Sequence, residues 1–162
     1  MIIFKFILLF LNLQYLNICV VGHSWAVGAF KDWNVSENIV LKAKVGSSIQ
    51  WSINQIDKIK EGQFDRIYIF TGINDYTNSE TKIKNDFDRL IDLVKIKTKK
   101  VYLFNIPRYS KCEQKIKNIN QYLETKDIEI IDVYTKYKNS NSLHPKSYNG
   151  VRELFLETLK KE

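Results

Sequence analysis

The sequence predicts an α/β fold, a three-layer α/β/α sandwich built on a five-stranded parallel sheet of flavodoxin-like order 2-1-3-4-5. Three observations lead there. Short β-branched and aromatic runs alternate with longer amphipathic stretches along the chain. The short runs are continuously apolar, as expected of strands buried on both faces. Right-handed crossovers between such strands place helices on both sides of the sheet. With 162 residues, 44% of them hydrophobic, the chain can bury one sizeable core, and no repeat period or low-complexity tract divides it.

The globular pattern starts near Asn17, so a domain is expected over residues 17–162, preceded by an apolar segment over 1–16. The run Met1-Ile2-Ile3-Phe4-Lys5-Phe6-Ile7-Leu8-Leu9-Phe10-Leu11 resembles the core of a signal peptide, although Lys5 interrupts it and no small-x-small cleavage site follows. It is short for a membrane span. A removed export signal, an amphipathic anchor and an additional packed segment are the alternatives; the first implies a secreted protein, the others leave a cytoplasmic location open.

Strands are predicted at Ile18–Val21, Asn38–Lys42, Arg66–Phe70, Lys100–Asn105 and Ile128–Asp132, and helices at Ser48–Lys60, Ser79–Lys95, Lys111–Glu124 and Lys146–Lys161. In the second helix Ile83, Phe87, Leu90, Ile91 and Val94 recur at helical spacing and form an inward stripe.

Composition removes several function classes. The formal charge of +7 favours weak contact with an anionic surface such as a membrane or acidic polysaccharide. Its densest run, Lys95-Ile96-Lys97-Thr98-Lys99-Lys100, falls between a helix and a strand and carries no nucleic-acid motif, so no nucleic-acid partner is expected. Two cysteines, without a Cys-x-x-Cys pair, and two histidines far apart give no basis for a zinc site or a disulfide framework. Neither a metal nor an organic cofactor is expected.

Loops leaving the carboxyl ends of parallel strands meet along one sheet edge, and the chemically suggestive residues all map to such loops. Ser24 follows the first strand at a strand-to-helix junction, where unpaired backbone N–H groups favour negative charge beside a hydroxyl. Read alone, it is better explained as a helix cap. Gly46, after the second strand, lets a backbone N–H approach a bound molecule while Ser47-Ser48 cap the next helix. Asn74, in the turn Gly72-Ile73-Asn74-Asp75 after the third strand, offers an amide donor that Gly72 can aim through unusual backbone angles. His144, after the fifth strand, can take the proton of Ser24 during attack and return it to a leaving group.

Together these segments resemble the four blocks of the SGNH hydrolases, also called GDSL-like esterases and lipases, across most of residues 17 to 161. Gly22-His23-Ser24-Trp25-Ala26-Val27-Gly28 is similar to the nucleophile block, Gly46 to the second, Gly72-Ile73-Asn74-Asp75 to the third and Asn141-Ser142-Leu143-His144-Pro145 to the last. The resemblance implies Ser24 as nucleophile, His144 as general base and acid, and an oxyanion hole made by the N–H groups of Ser24 and Gly46 with the Asn74 side chain. Losing one such donor typically raises the barrier by about 2.7–4 kcal/mol.

Two positions depart from the family pattern. His23 stands where Asp usually precedes the nucleophile, and Asn141 where an Asp usually lies three residues before the histidine. An amide at 141 can orient His144 but cannot stabilise its charged form. Three arrangements stay open: a dyad oriented by a backbone carbonyl, assistance from another acid such as Asp75, and a catalytically weak site. His23, Trp25, Asp75 and Tyr76 are candidate substrate contacts, with Trp51 a further candidate lining residue.

The resulting expectation is a serine ester hydrolase working through an acyl-serine on short acyl esters, with acetylated carbohydrate or lipid as candidate substrates in an open cleft. The rival from another class is a weak or inactive SGNH-like binding domain for an anionic glycan or membrane surface. A flavodoxin-like phosphate or nucleotide binder using Gly22-His23-Ser24 leaves Asn74 and His144 unexplained.

Overall fold

Five parallel strands lie in the order β2-β1-β3-β4-β5 in the computed structural model, which describes residues 16–33, 38–137 and 144–160. The strands are β1 (Ile18–Gly22), β2 (Ile39–Ala43), β3 (Arg66–Phe70), β4 (Lys100–Phe104) and β5 (Glu129–Ile131). The helices are α1 (Ser24–Phe30), α2 (Ile49–Asp57), α3 (Glu80–Lys97), α4 (Glu113–Leu123), α5 (Val133–Lys136) and α6 (Asn149–Leu159). Residues 1–15 of the apolar amino-terminal segment, and Asn141, lie outside the described residues.

Period-two alternation in the central strands divides the core. Ile67 and Ile69 of β3, with Cys19, Val21, Val101 and Leu103, face α2, α3 and α4, whose buried stripes include Ile53, Phe87, Leu90 and Ile119. Tyr68 and Phe70, with Ile18, Val20, Tyr102 and Phe104, face α1 and α6. This second face is largely aromatic. Tyr68 stacks on Tyr102 at 4.7 Å between ring centroids and Phe70 on Phe104 at 3.8 Å, while Phe155 of α6 packs on Tyr68 at 4.5 Å. Three layers result, as predicted.

Not every strand is buried on both faces. β1 and β3 are, but β2 is a sheet edge with Val40 41% exposed, and its apolar sequence gave no sign of that position. The sequence reading missed α5 and gave α1 only as a helix start at Ser24, without bounds. α1 is seven residues long and α5 four, too short for a period of 3.6 to emerge. The predicted Lys111–Glu124 helix begins as a 3₁₀ turn, Ser110–Cys112, before α4 proper.

Register positions the site. Gly22 pairs with both Ala43 and Phe70, Phe70 with Phe104, and Phe104 with Ile131, so all five strands end on one line. The loops carrying Ser24, Gly46 and Asn74 leave that line together, and the connection from β5 toward His144 leaves it too. The lysine-rich run lies at the opposite end of the strands, where Lys95 pairs with Asp127 at 2.8 Å beside a cavity of about 490 Å³. No helix among the described residues is long and apolar enough to cross a membrane.

Candidate active site

Ser24 is the first residue of α1 and is half-buried. The helix cap is its neighbour: the His23 ring accepts from the Trp25 N–H through Nδ1 at 3.2 Å, and the His23 carbonyl accepts from Val27 N–H at 3.1 Å. A side chain at the cap position ties down one of the free amides of the first turn. The reading of Ser24 as the cap therefore fails, and its hydroxyl is left for other work. His23 is correspondingly not a substrate contact, being 2% exposed. Burial, with the nearby His144 adding to it, pushes the His23 imidazole down to about 3, so the ring is neutral and able to accept.

Trp25 is also a core residue rather than a wall of the cleft. It is 1% exposed, with the rings of Tyr137 and Tyr148 set edge-on to it at 5.1 and 5.9 Å. Trp51 is half-buried against the core on the other sheet face. Tyr76 remains accessible at 39% exposure, its ring edge-on to Tyr109 at 5.7 Å.

Gly46 and Gly72 are both left-handed, with φ of 75° and 105°, a region that side chains with a Cβ avoid. Gly46 sits at an exposed turn with open space where a side chain would be, so its backbone is approachable. The following Ser48 caps α2 by accepting from Trp51 N–H at 3.2 Å, as expected from the Ser47-Ser48 pair. Gly72 bends β3 into a 3₁₀ turn, Ile73–Asp75, that presents Asn74.

Asn74 and Asp75 clamp the Gly46 loop from two sides. Asn74 Nδ2 donates to the Ser47 carbonyl at 2.9 Å, which uses one of its two amide hydrogens. Asp75 Oδ2 accepts from Ile49 N–H at 3.0 Å, in the first turn of α2, where a carboxylate is favoured. Ser47 Oγ donates to the Gly22 carbonyl at 3.1 Å, tying the same loop to the end of β1. Asp75 is 5% exposed and burial pushes its carboxyl up, with the Ile49 N–H opposing that rise. Its oxygens face Ile49 and Asn78, so the structure gives it a loop-fixing place and not one on substrate.

His144 is exposed and lies close enough to His23 to affect its charge balance. Its Nδ1 is 3.1 Å from the Tyr148 hydroxyl, and no Ser24–His144 hydrogen bond forms among the described residues. Active-site hydrogen bonds are often looser before substrate binds. Tyr148 and α6, which follow His144, are fastened to α1 at two points. A Cβ on Gly28 would overlap the Tyr148 ring, and Arg152 Nε donates to the Ala29 carbonyl at 2.8 Å. Tyr137, before the loop, donates to the Ser147 carbonyl at 3.3 Å.

Sequence reasoning missed Tyr148 and the cap at His23. No signal in the sequence points to Tyr148, because residues 144–148 are irregular and follow no helical spacing. Among the described residues no group of three or more His, Cys, Asp or Glu could hold a metal ion.

The arrangement places a serine at a helix start, a histidine loop and an amide-bearing turn on one sheet edge, and solved structures share the framework. A G-D-S-L family lipolytic protein from Veillonella parvula matches with a TM-score of 0.71 at 18% identity, covering 89% of this chain and 96% of that one. The fold is that of the SGNH hydrolases. A GDSL-like lipase from Bacteroides thetaiotaomicron also matches at 0.71, with 14% identity over 93% of this chain and 89% of that one. A mutant acetyl-xylooligosaccharide esterase from Geobacillus gives 0.66 at 13% identity over 92% and 96%. By sequence, no family model and no curated protein matches the chain. The SGNH framework is thus legible in backbone geometry at identities where sequence comparison is silent.

Proposed function

We propose that the protein is a serine ester hydrolase that acts through an acyl-serine intermediate on short acyl esters, acetylated carbohydrate or lipid among them. The observation that carries the reading is the division of labour at the start of α1. His23 takes over the capping, leaving the Ser24 hydroxyl uncommitted at the positive end of a helix dipole, beside the His144 loop. A serine retained only to cap would show the reverse.

In the proposed reaction the Ser24 oxygen attacks the ester carbonyl carbon while His144 Nε2 takes the hydroxyl proton. The carbonyl oxygen becomes an oxyanion and is met by Ser24 N–H, Gly46 N–H and the second amide hydrogen of Asn74. Collapse breaks the bond to the alcohol, which leaves with the proton returned by His144. Water then gives a proton to His144 and attacks the acyl-serine; the carboxylic acid departs and Ser24 recovers its hydrogen. No cofactor enters these steps.

The clamp on the Gly46 loop supports this use. An oxyanion hole is effective only if its dipoles are fixed beforehand, and Asn74, Asp75 and Ser47 fix three points of that loop. The accessible Tyr76 ring, edge-on to Tyr109, offers an apolar surface close to the Asn74 turn, suited to a sugar ring or a short acyl chain.

A fluorophosphonate probe and a chromogenic acetyl ester test the proposal. Labelling and turnover that vanish in Ser24→Ala support it. A folded protein showing neither would instead favour the non-catalytic binding domain.

A further inference from the structure

We propose that Tyr148 is the positioning residue for His144, its phenolic oxygen accepting from Nδ1–H and so making Nε2 the basic nitrogen of the ring. The inference rests on the esterase reading and supplies the partner that the resemblance would seek in a carboxylate at position 141. The juxtaposition of the phenol with the imidazole Nδ1, at 3.1 Å, is the starting point.

Three further contacts hold the phenol where it is. The Tyr148 ring lies against Gly28, where a Cβ would overlap it, one helical turn from Ser24 on the same face of α1. Its ring stands nearly perpendicular to Trp25, at 88° and 5.9 Å. Its backbone carbonyl accepts from Val151 N–H at 3.0 Å and Arg152 N–H at 3.1 Å, and Arg152 reaches across to the Ala29 carbonyl. The ring is therefore located by α1 and α6 together, and the imidazole is located by the ring.

Proton bookkeeping fixes the direction of the bond. When Nε2 takes the Ser24 proton, the ring carries N–H on both nitrogens, and Nδ1–H needs an acceptor. The phenolic oxygen is that acceptor. Were the phenol to donate to Nδ1 instead, the neutral ring would keep its proton on Nε2 and could not receive another there. A neutral oxygen orients the ring without neutralising its positive charge, so the arrangement supports catalysis less strongly than a carboxylate does. Burial pushes the Tyr148 phenol up, with Tyr137 adding to it, which keeps the hydroxyl protonated at neutral pH.

The test is Tyr148→Phe in the full chain, which keeps the ring on Gly28 and Trp25 and removes one oxygen. Imidazole ¹⁵N spectra at neutral pH read the tautomer directly, and with two histidines in the chain the His23→Asn variant assigns the signals. The expected result is a His144 protonated on Nδ1 in the parent and a shift toward the Nε2–H form in Tyr148→Phe. With acetyl ester, kcat falls about tenfold and KM stays within about twofold, as for loss of one hydrogen bond. An Nε2–H tautomer in the parent, or an unchanged tautomer in the variant, overturns the proposal. So does an unchanged kcat when Ser24→Ala is inactive. If the parent neither turns over ester nor labels, the esterase reading falls, and the tautomer comparison still decides the role of Tyr148.

Discussion

Lowering the pH from about 7.5 to about 4.5 should destabilise this protein through one buried ring, His23. Its imidazole is 2% exposed, accepts from Trp25 N–H, and is pushed from 6.5 down to about 3 by burial, with His144 contributing. The unfolded chain binds a proton near pH 6.5 and the folded chain does not until about pH 3. Between those values the unfolded state holds more protons, so stability is full above the upper value and declines as pH falls through the window. Each pH unit is worth about 1.36 kcal/mol, so two units below the unfolded pKa the loss is about 2.7 kcal/mol. Protonation would also remove the lone pair that caps α1.

Urea denaturation at a series of pH values measures this loss, with His23→Asn as the comparison because Asn can still cap but does not titrate. The parent should lose about 2–3 kcal/mol more than the variant across the window. Asp75 acts in the opposite sense: its raised pKa means the folded state binds its proton first, so its titration favours folding as pH falls. It is present in both proteins and cancels in the difference. Equal pH slopes for parent and variant would refute the neutral, buried cap.

Three other outcomes follow from the same geometry. Ser24→Ala should abolish turnover, by at least about 10³-fold, while leaving urea stability within about 0.5 kcal/mol, since the cap is at His23. Asn74→Ala should lower kcat by about 10²–10³-fold, measured with a chromogenic acetyl ester, because it removes a proposed oxyanion donor and frees the Ser47 carbonyl. Asp75→Ala should destabilise the chain by about 1–3 kcal/mol in urea, since it strands the Ile49 N–H in a buried place.

The fold was legible because its signals are repeated. The apolar runs of β1, β3 and β4 and the long stripe of α3 each span enough residues for a period to register, and parallel topology then follows from connection rules. β3 was placed to the residue, while shortness hid α5 and the extent of α1, each under eight residues. The edge position of β2 depends on which neighbour it lacks, a property of the assembled sheet.

The site divided along the same line. The placement of Ser24, Gly46, Asn74 and His144 after strand ends was legible because such loops must gather on one edge, and the left-handed angle at Gly72 was anticipated from its place before Asn74. The places of His23, Trp25 and Asp75 were not readable, because a polar or aromatic residue beside a candidate site residue looks the same whether it faces outward or inward. Their burial decides it. Tyr148 belongs to a contact between a loop and a helix far apart in sequence, visible only once α1 and α6 are packed.

Mass-spectrometric mapping of the fluorophosphonate adduct separates a Ser24 nucleophile served by His144 from every other reading. A single adduct on Ser24 is expected, lost in Ser24→Ala and formed at least about 10³-fold more slowly in His144→Ala. An adduct on another residue, or labelling of Ser24 that proceeds equally without the His144 imidazole, would contradict it.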